Sequence, residues 1–371
     1  MKFSRHRARV LRSLEKFRFR VDWAFSNMEG MNRREPDSGE KAFGTDADAT
    51  VRAAWLYYHH DLTQAEIAKQ LQVSRPTVAN LLARARNRGM VRISIRPDLL
   101  GRLSLAEELQ AHFGLQNAYV VPTPELVTSV EVRQALGKAG AIYLESALRP
   151  GEVLATAWGL TVLEVARALS GKRIDGIVLA QAIGCLNSGE LFNPIRLAGL
   201  MAEKLGAKVY HLPVPAVVSS VGLQKILLED KNIRSCLEMA RSASRAMIGV
   251  GKVSDDATVV SAGFLDRAMI NELKAKGAVG DISCRYFDLN GEPVFTDFDR
   301  CVISLSLDDL RRIEPVIAVA GGEDKVAALL GALRTGCLDI LITDERTGRK
   351  VLVLDRATRP KSLAVATAKN A

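Results

Sequence analysis

The stretch LATAWGLTVLEVA, residues 154–166, passes from a β-like apolar segment through Trp158-Gly159-Leu160-Thr161 straight into a helical pattern. A glycine at such a junction lets backbone amides approach an anion, and a helix N-terminus adds about half a positive charge. Thr161 contributes a hydroxyl. A second junction, Ala320-Gly321-Gly322-Glu323-Asp324-Lys325, follows the apolar run VIAV and precedes another helix. Gly159 and Thr161, with Lys325 opposite, would cradle a phosphate or a similar oxyanion. Asn193 and Asp281 fall near comparable ends and would take sugar hydroxyls. Each residue alone has a plainer role: a tight turn, a turn former before Pro194, a helix-surface lysine. Their common placement at predicted strand ends joins them into one expected pocket.

Asp281 and Lys325 are chemically able to move protons, but general acid–base chemistry needs a tuned group within hydrogen-bond reach of substrate. No compact acid–base or His-containing motif accompanies these loops. His59 and His60 lie far upstream, and His211, before Leu212-Pro213, reads as structural. No residue is therefore assigned as catalytic, and neither a metal nor a cofactor is expected.

The elements that must position these residues alternate along the chain from about Asn117. AYVV, EVLATAW, GIVLAQAIG, AKVYHLPVPA, SRAMIGVG, PVIAVAGG and DILITD read as strands between helical segments such as TVLEVARAL and KVAALLGAL. That is the pattern of an α/β domain with a mainly parallel sheet, which binds ligands outside the carboxyl ends of its strands. Residues 117–371 are assigned to it.

Upstream, the charge is unevenly placed. Lys and Arg outnumber Asp and Glu by eight to one in residues 1–20, are outnumbered seven to three in 21–50, and lead eight to two in 51–97. The remaining residues balance at 32 against 32, so the net +9 arises in the first quarter. Such confinement is the footprint of a nucleic-acid-binding module on a neutral body. The 48% hydrophobic content suits a folded protein, and no apolar run reaches the roughly 20 residues a membrane helix needs. Five scattered cysteines without a CxxC pair argue against disulfides or zinc and for a cytoplasmic protein. The polar lead-in 1–49 is expected to be disordered.

Residues 50–98 carry the module. Val51, Ala54, Trp55 and Tyr58 recur at helical spacing. Thr63-Gln64-Ala65-Glu66 forms a capping box that starts a second helix. Ser74 caps a third, which tolerates Pro76 in its first turn. Ile67, Ala68, Leu71, Val73, Val78 and Leu81 would fill the space between helices. Gln72 stands at the turn position where glycine is commonest. The third helix would enter the major groove of double-stranded operator DNA, with Ser74, Arg75, Thr77 and Asn80 at its start. Arg84, Arg86 and Arg88 suit phosphates. VRISIR, with Arg92 on its outer face, reads as the wing. The segment 99–116 is a linker helix with Leu103, Leu105, Leu109 and Phe113 on one stripe; it would serve as a dimer contact or pack on the larger domain.

The ordered set TQAEIAKQLQVSRPTVANLLARARNRGMVRI, AWGLT, AEKLGA, GAVGDISCRYFDLNGEPV, VIAVAGGEDKVAALLGALRTG and LITDE resembles the SorC-type sugar-binding transcriptional regulators over about residues 51–356. The resemblance implies an N-terminal winged helix-turn-helix followed by a mainly parallel α/β domain similar to phosphosugar isomerases. It also implies a sugar, polyol or sugar-phosphate effector and a homodimer or homotetramer. By motif, Gly159, Thr161 and Lys325 would meet the effector's phosphate or equivalent oxygens, and Asn193 and Asp281 its hydroxyls. Leu160 departs from the small, polar or basic residue usual there, and Ala155 from a common glycine. The function expected is control of carbohydrate or polyol catabolism, as repressor or activator. The alternative is a phosphosugar isomerase or deaminase with a DNA-binding appendage.

Overall fold

A computed structural model describes residues 46–91, 97–123, 128–185, 193–261, 263 and 265–358. The chain divides into two units between Arg96 and Pro97.

The first unit contains α1 (Asp46–Tyr58), α2 (Gln64–Leu71) and α3 (Arg75–Asn87). The expected capping box is present at α2. Thr63 Oγ1 accepts from the Glu66 amide, and Glu66 Oε2 accepts from the Thr63 amide at 2.8 Å. Ser74 caps α3 by accepting from the Thr77 amide. Gln72 takes the left-handed conformation, φ 53°, that closes the turn between them. The core consists of Ala53, Ala54, Leu56, Ile67, Ala68, Leu71, Val78, Leu81, Leu82 and Ala85.

Three details differ from the sequence reading. The inward face of α1 is Thr50, Ala53, Ala54 and Leu56, whereas Val51 and Trp55 are exposed at 41% and 37%. The small alanines lie inward because α3 packs closely on α1. Val73 is also exposed and fills no core. Helix α1 takes in residues 46–49, which the sequence assigned to the lead-in. The wing, including Arg92, and the lead-in up to residue 45 lie outside the described residues.

The larger unit opens with α4 (Pro97–Phe113), the expected linker helix. Leu105 and Leu109 are buried, and His112 bonds Asp355 at 2.6 Å, so this helix packs on the larger domain. A seven-stranded, all-parallel sheet follows the order β1-β10-β9-β5-β2-β3-β4. Its strands are β1 (Asn117–Val121), β2 (Val153–Thr156), β3 (Val178–Gln181), β4 (Lys208–Tyr210), β5 (Arg245–Ile248), β9 (Val316–Val319) and β10 (Ile340–Asp344). Alternate side chains feed two cores, as the strand's period of two requires. Leu154, Leu179, Met247, Ile317 and Ile342 face α5 (Ser129–Ala147), α6 (Leu160–Ala168) and α7 (Pro194–Leu205).

The opposite face carries Ala155, Ala180 and Ala246 in register across β2, β3 and β5. This small-residue row gives a structural setting for Ala155. A helix with Ile233, Leu237 and Ala240 inward packs over β2 and β3 there. It is α9 (Lys231–Arg241), preceded by α8 (Val221–Glu229).

A second sheet, antiparallel, was not foreseen. It pairs β6 (Gly251–Lys252), β7 (Ala278–Ile282) and β8 (Arg285–Asp288). Its β7–β8 hairpin turns through Ser283 and Cys284, at φ 55° and 62°. A two-residue turn of this hand needs positive φ at both positions. Asp281 therefore stands in a hairpin strand and not at the end of a parallel one. Helix α10 (Arg267–Ala275) precedes β7, α11 (Val326–Arg334) packs on β7, and α12 (Glu345–Thr358) follows β10.

Candidate functional site

A cavity of about 210 Å³ opens where the loops after β2, β5 and β9 meet the small sheet. Four of the five expected pocket residues, Gly159, Thr161, Asp281 and Lys325, line it together. Gly159, at φ 140°, delivers the chain from β2 into α6 and supplies no side-chain cap to that helix. Thr161 is buried in its first turn. Trp158, Leu160, Val250, Ala257 and Val259 give the cavity an apolar wall. Asn193 is not among the lining residues. It caps α7 instead, accepting from the Ile195 amide at 3.0 Å, and residues 186–192 before it lie outside the described set.

Asp281 is nearly enclosed, and its Oδ2 accepts from the Cys284 amide at 2.9 Å. Burial pushes its pKa from 3.8 up to about 6, against the opposing pull of that N–H and of Lys325. Lys325 donates to the Val250 carbonyl at 2.8 Å. Burial lowers its pKa; the charges of Asp324 and Asp281 partly oppose this, while Arg133 and Lys252 add repulsion. Both groups are thus pushed toward neutrality by enclosure.

Close packing fixes their places. A Cβ on Gly280 would fall 2.7 Å from Ala328 Cβ, which seats β7 on α11. The loop before Lys325 is held by Asp344. Its Oδ2 accepts from the Gly322 amide at 2.9 Å and from Thr347 Oγ1 at 2.6 Å, and its Oδ1 accepts from the Thr347 amide at 2.9 Å. A Cβ on Gly321 would meet Asp344 Oδ2 at 2.3 Å, so that position has no room for a side chain.

Several lining residues were not singled out in the sequence: Ser129, Arg133, Lys252, Asp256, Ser283 and Asp324. Lys252 bridges Asp324 at 2.7 Å and Asp256 at 2.9 Å. Burial opposes its charge, but these hydrogen bonds outweigh that and raise its pKa, while the Lys252 contact lowers Asp256 to about 2. The glycines around Lys252 in Gly249-Val250-Gly251-Lys252 were a usable signal. Arg133 and Ser129 had none, lying on a helix that reads as surface. Among the described residues, no group of three or more His, Cys, Asp and Glu is placed to hold a metal.

In the first unit, Arg75, Thr77 and Asn80 are exposed on the first turns of α3, as expected. Arg84 is half-buried, and Arg86 donates to the Tyr58 hydroxyl at 3.4 Å. Ser74 holds Thr77 through both its amide and its hydroxyl, the latter at 2.7 Å. Among the described residues no helix is long and apolar enough to cross a membrane.

A helix-turn-helix unit joined to an α/β body with a polar strand-end cavity defines the class of DNA-binding regulators that carry a sugar-binding domain. Residues 98–353 match the sugar-binding domain family, and residues 53–98 match the MarR family. The transcriptional regulator YjhU of Escherichia coli K12 is 33% identical over 312 residues, covering 83% of this chain and 95% of that protein. The deoxyribonucleoside regulator of Bacillus subtilis is 32% identical over 306 residues, covering 82% and 96%. The full-length sorbitol operon regulator SorC of Klebsiella pneumoniae superposes with a TM-score of 0.64 at 27% identity, covering 84% of this chain and 100% of that one. The chain belongs to the SorC-type family of sugar-binding transcriptional regulators.

Proposed function

We propose that this protein is a cytoplasmic regulator of carbohydrate or polyol catabolism whose operator binding is modulated by a sugar, polyol or sugar phosphate. The observation that carries this reading is the convergence of Gly159, Thr161, Asp281 and Lys325 on one cavity in a chain with a helix-turn-helix. Arg75, Thr77 and Asn80 read base edges; Ser74 positions the helix start; Arg84 and Arg92 meet phosphates. Two copies of the chain present paired recognition helices to the half-sites of an operator. Effector binding shifts the subunit arrangement by its differential affinity for the two states. Arg75→Ala and Asn80→Ala should abolish operator protection in footprinting while effector binding persists; normal footprints from both would refute the assigned reading helix. Thr161→Val should remove the thermal shift produced by the effector.

The elevated pKa of Asp281 favours one second reading, a residual proton-transfer activity on sugar phosphates. Turnover of a sugar-phosphate panel that disappears in Asp281→Asn would establish it. Absence of turnover alongside effector-dependent operator release would leave the sensor alone.

A further inference from the structure

Helix α12 carries two sets of contacts that belong to different parts of the larger unit. Its first two turns hold the loop of the cavity. Thr347 Oγ1 accepts from the Gly322 amide at 2.9 Å, and Glu323 accepts from Arg346 at 3.1 Å and from Lys350. These bonds fall immediately before Lys325, in the turn Glu323–Lys325. A second stripe of α12 seats α4, the helix that begins at Pro97, directly after the first unit. A Cβ on Gly348 would lie 3.3 Å from Leu109 Cδ1 and 3.5 Å from Leu105 Cδ2, so the two helices pack closely there. Two turns further on, Asp355 Oδ2 accepts from His112 Nε2 at 2.6 Å, and Glu108 accepts from Arg356. Leu105, Leu109 and His112 form one stripe at helical spacing, and Gly348 and Asp355 form the stripe that meets it.

A second helix joins the same two places. Asp355 is 1% exposed, and a buried carboxylate has to be matched. Besides His112 it accepts from Arg334 Nε at 2.8 Å. Arg334 is the last residue of α11 and also donates to the Leu289 carbonyl at 2.9 Å, just beyond β8, and to Thr358 Oγ1 at 3.0 Å. Helix α11 follows Lys325 directly, so its two ends, roughly 14 Å apart at 1.5 Å per residue, meet the cavity and the Asp355 cluster. A helix keeps its backbone hydrogen bonds within itself and moves as a unit, and packed contacts such as Gly348 on Leu109 change between discrete arrangements instead of deforming smoothly. A shift of the Lys325 turn therefore reaches α4 through both helices.

We propose that α11 and α12 are the relay by which occupation of the cavity is read by α4, and that His112, acting through Asp355, is the positioning residue that clasps α4 to them. Helix α4 passes the change to the helix-turn-helix unit, to which it is joined in sequence. This rests on the reading of the cavity as the effector site, but the test needs no effector, so its failure would sink the relay and leave that reading standing. Amide exchange is followed in the full chain at residues 105–113 and 322–325, in wild type, His112→Ala and His112→Gln. Glutamine places an amide donor near the position of the imidazole Nε2, and Asp355 keeps Arg334 in both variants, so the fold should persist. His112→Ala should quicken exchange at 322–325 as well as at 105–113, by about threefold or more, and His112→Gln should recover most of the protection. A role confined to packing would loosen 105–113 and leave 322–325 as in wild type, which would overturn the relay. Glu323→Ala reads the coupling in the other direction, since its partners Arg346 and Lys350 both lie on α12. It should quicken exchange at 105–113, and wild-type exchange there would be equally fatal even if His112→Ala failed to fold. The regulatory step is read at constant ionic strength with a duplex selected from a random pool by the wild-type chain. His112→Ala should change its affinity by about fivefold or more, and His112→Gln should restore it. An affinity unaltered in both variants would remove the regulatory role, whatever the exchange shows.

Discussion

Gly251 lacks a side chain because Asp281 occupies the space beside it: an added Cβ would lie 1.9 Å from Asp281 Oδ1. The backbone of Gly251 is not in the left-handed region, so alanine there meets only a steric barrier. Gly251→Ala should destabilise the chain by about 1–3 kcal/mol, the range for overpacking, and should displace the carboxylate. Effector binding should weaken in parallel. Gly199 in α7 is the control, with nothing within 4 Å of its added Cβ. Gly199→Ala should stabilise by about 0.5–1 kcal/mol in urea unfolding and leave effector binding unchanged.

Asp281 makes stability depend on pH in a predictable direction. Its pKa is raised on folding, from 3.8 to about 6, so the folded chain holds this proton more tightly than the unfolded one. Its contribution is fully favourable below about pH 4 and is lost as pH rises through 6, a change of about 3 kcal/mol. Asp281→Asn removes that dependence. The stability difference between wild type and variant, measured by urea unfolding from pH 4 to 7, should shift toward the variant by about this amount. A constant difference across the range would disprove the assignment to Asp281.

Asp344 acts on the pocket from a distance. Asp344→Ala would strand the buried Thr347 amide and leave the Gly322 amide only its bond to Thr347 Oγ1, at a cost of about 1–3 kcal/mol. The larger effect should be on the loop that carries Lys325. Amide exchange at Gly322 to Lys325 should accelerate, and effector affinity should fall even though Asp344 lies outside the lining of the cavity.

Gln72 offers a gain. Its left-handed conformation, φ 53°, costs about 1 kcal/mol relative to glycine. Gln72→Gly should raise the stability of the helix-turn-helix unit by about that amount, read by thermal unfolding, with operator affinity retained.

How much of this was legible in the sequence depends on the range of the interactions involved. The caps at Thr63 and Ser74 and the turn at Gln72 are set within four residues, and the sequence displays them directly. Gly159, Thr161 and Lys325 were legible because a parallel sheet places its strand-to-helix loops at one edge. Arg133 was not, because its place beside α6 is fixed by the contact of Gly137 with Glu164, 27 positions away. Asp281 reads in the sequence as a strand-end residue, a position it does not have; its hairpin turns on Ser283 and Cys284, neither of them a glycine or asparagine, so the usual turn signature is missing. Asn193 carried a helix-cap signature as well as a ligand's chemistry, and the structure displays the cap.

The first turn of α6 has a bearing on how such a protein changes partners over generations. The donors it offers are main-chain amides without a side-chain cap, which survive any replacement of the residue that bears them except proline. Leu160 can therefore drift among side chains of different size and polarity while those amides stay in place. Selectivity and retention are written in separate parts of the same residue, and a lineage can retune one without forfeiting the other.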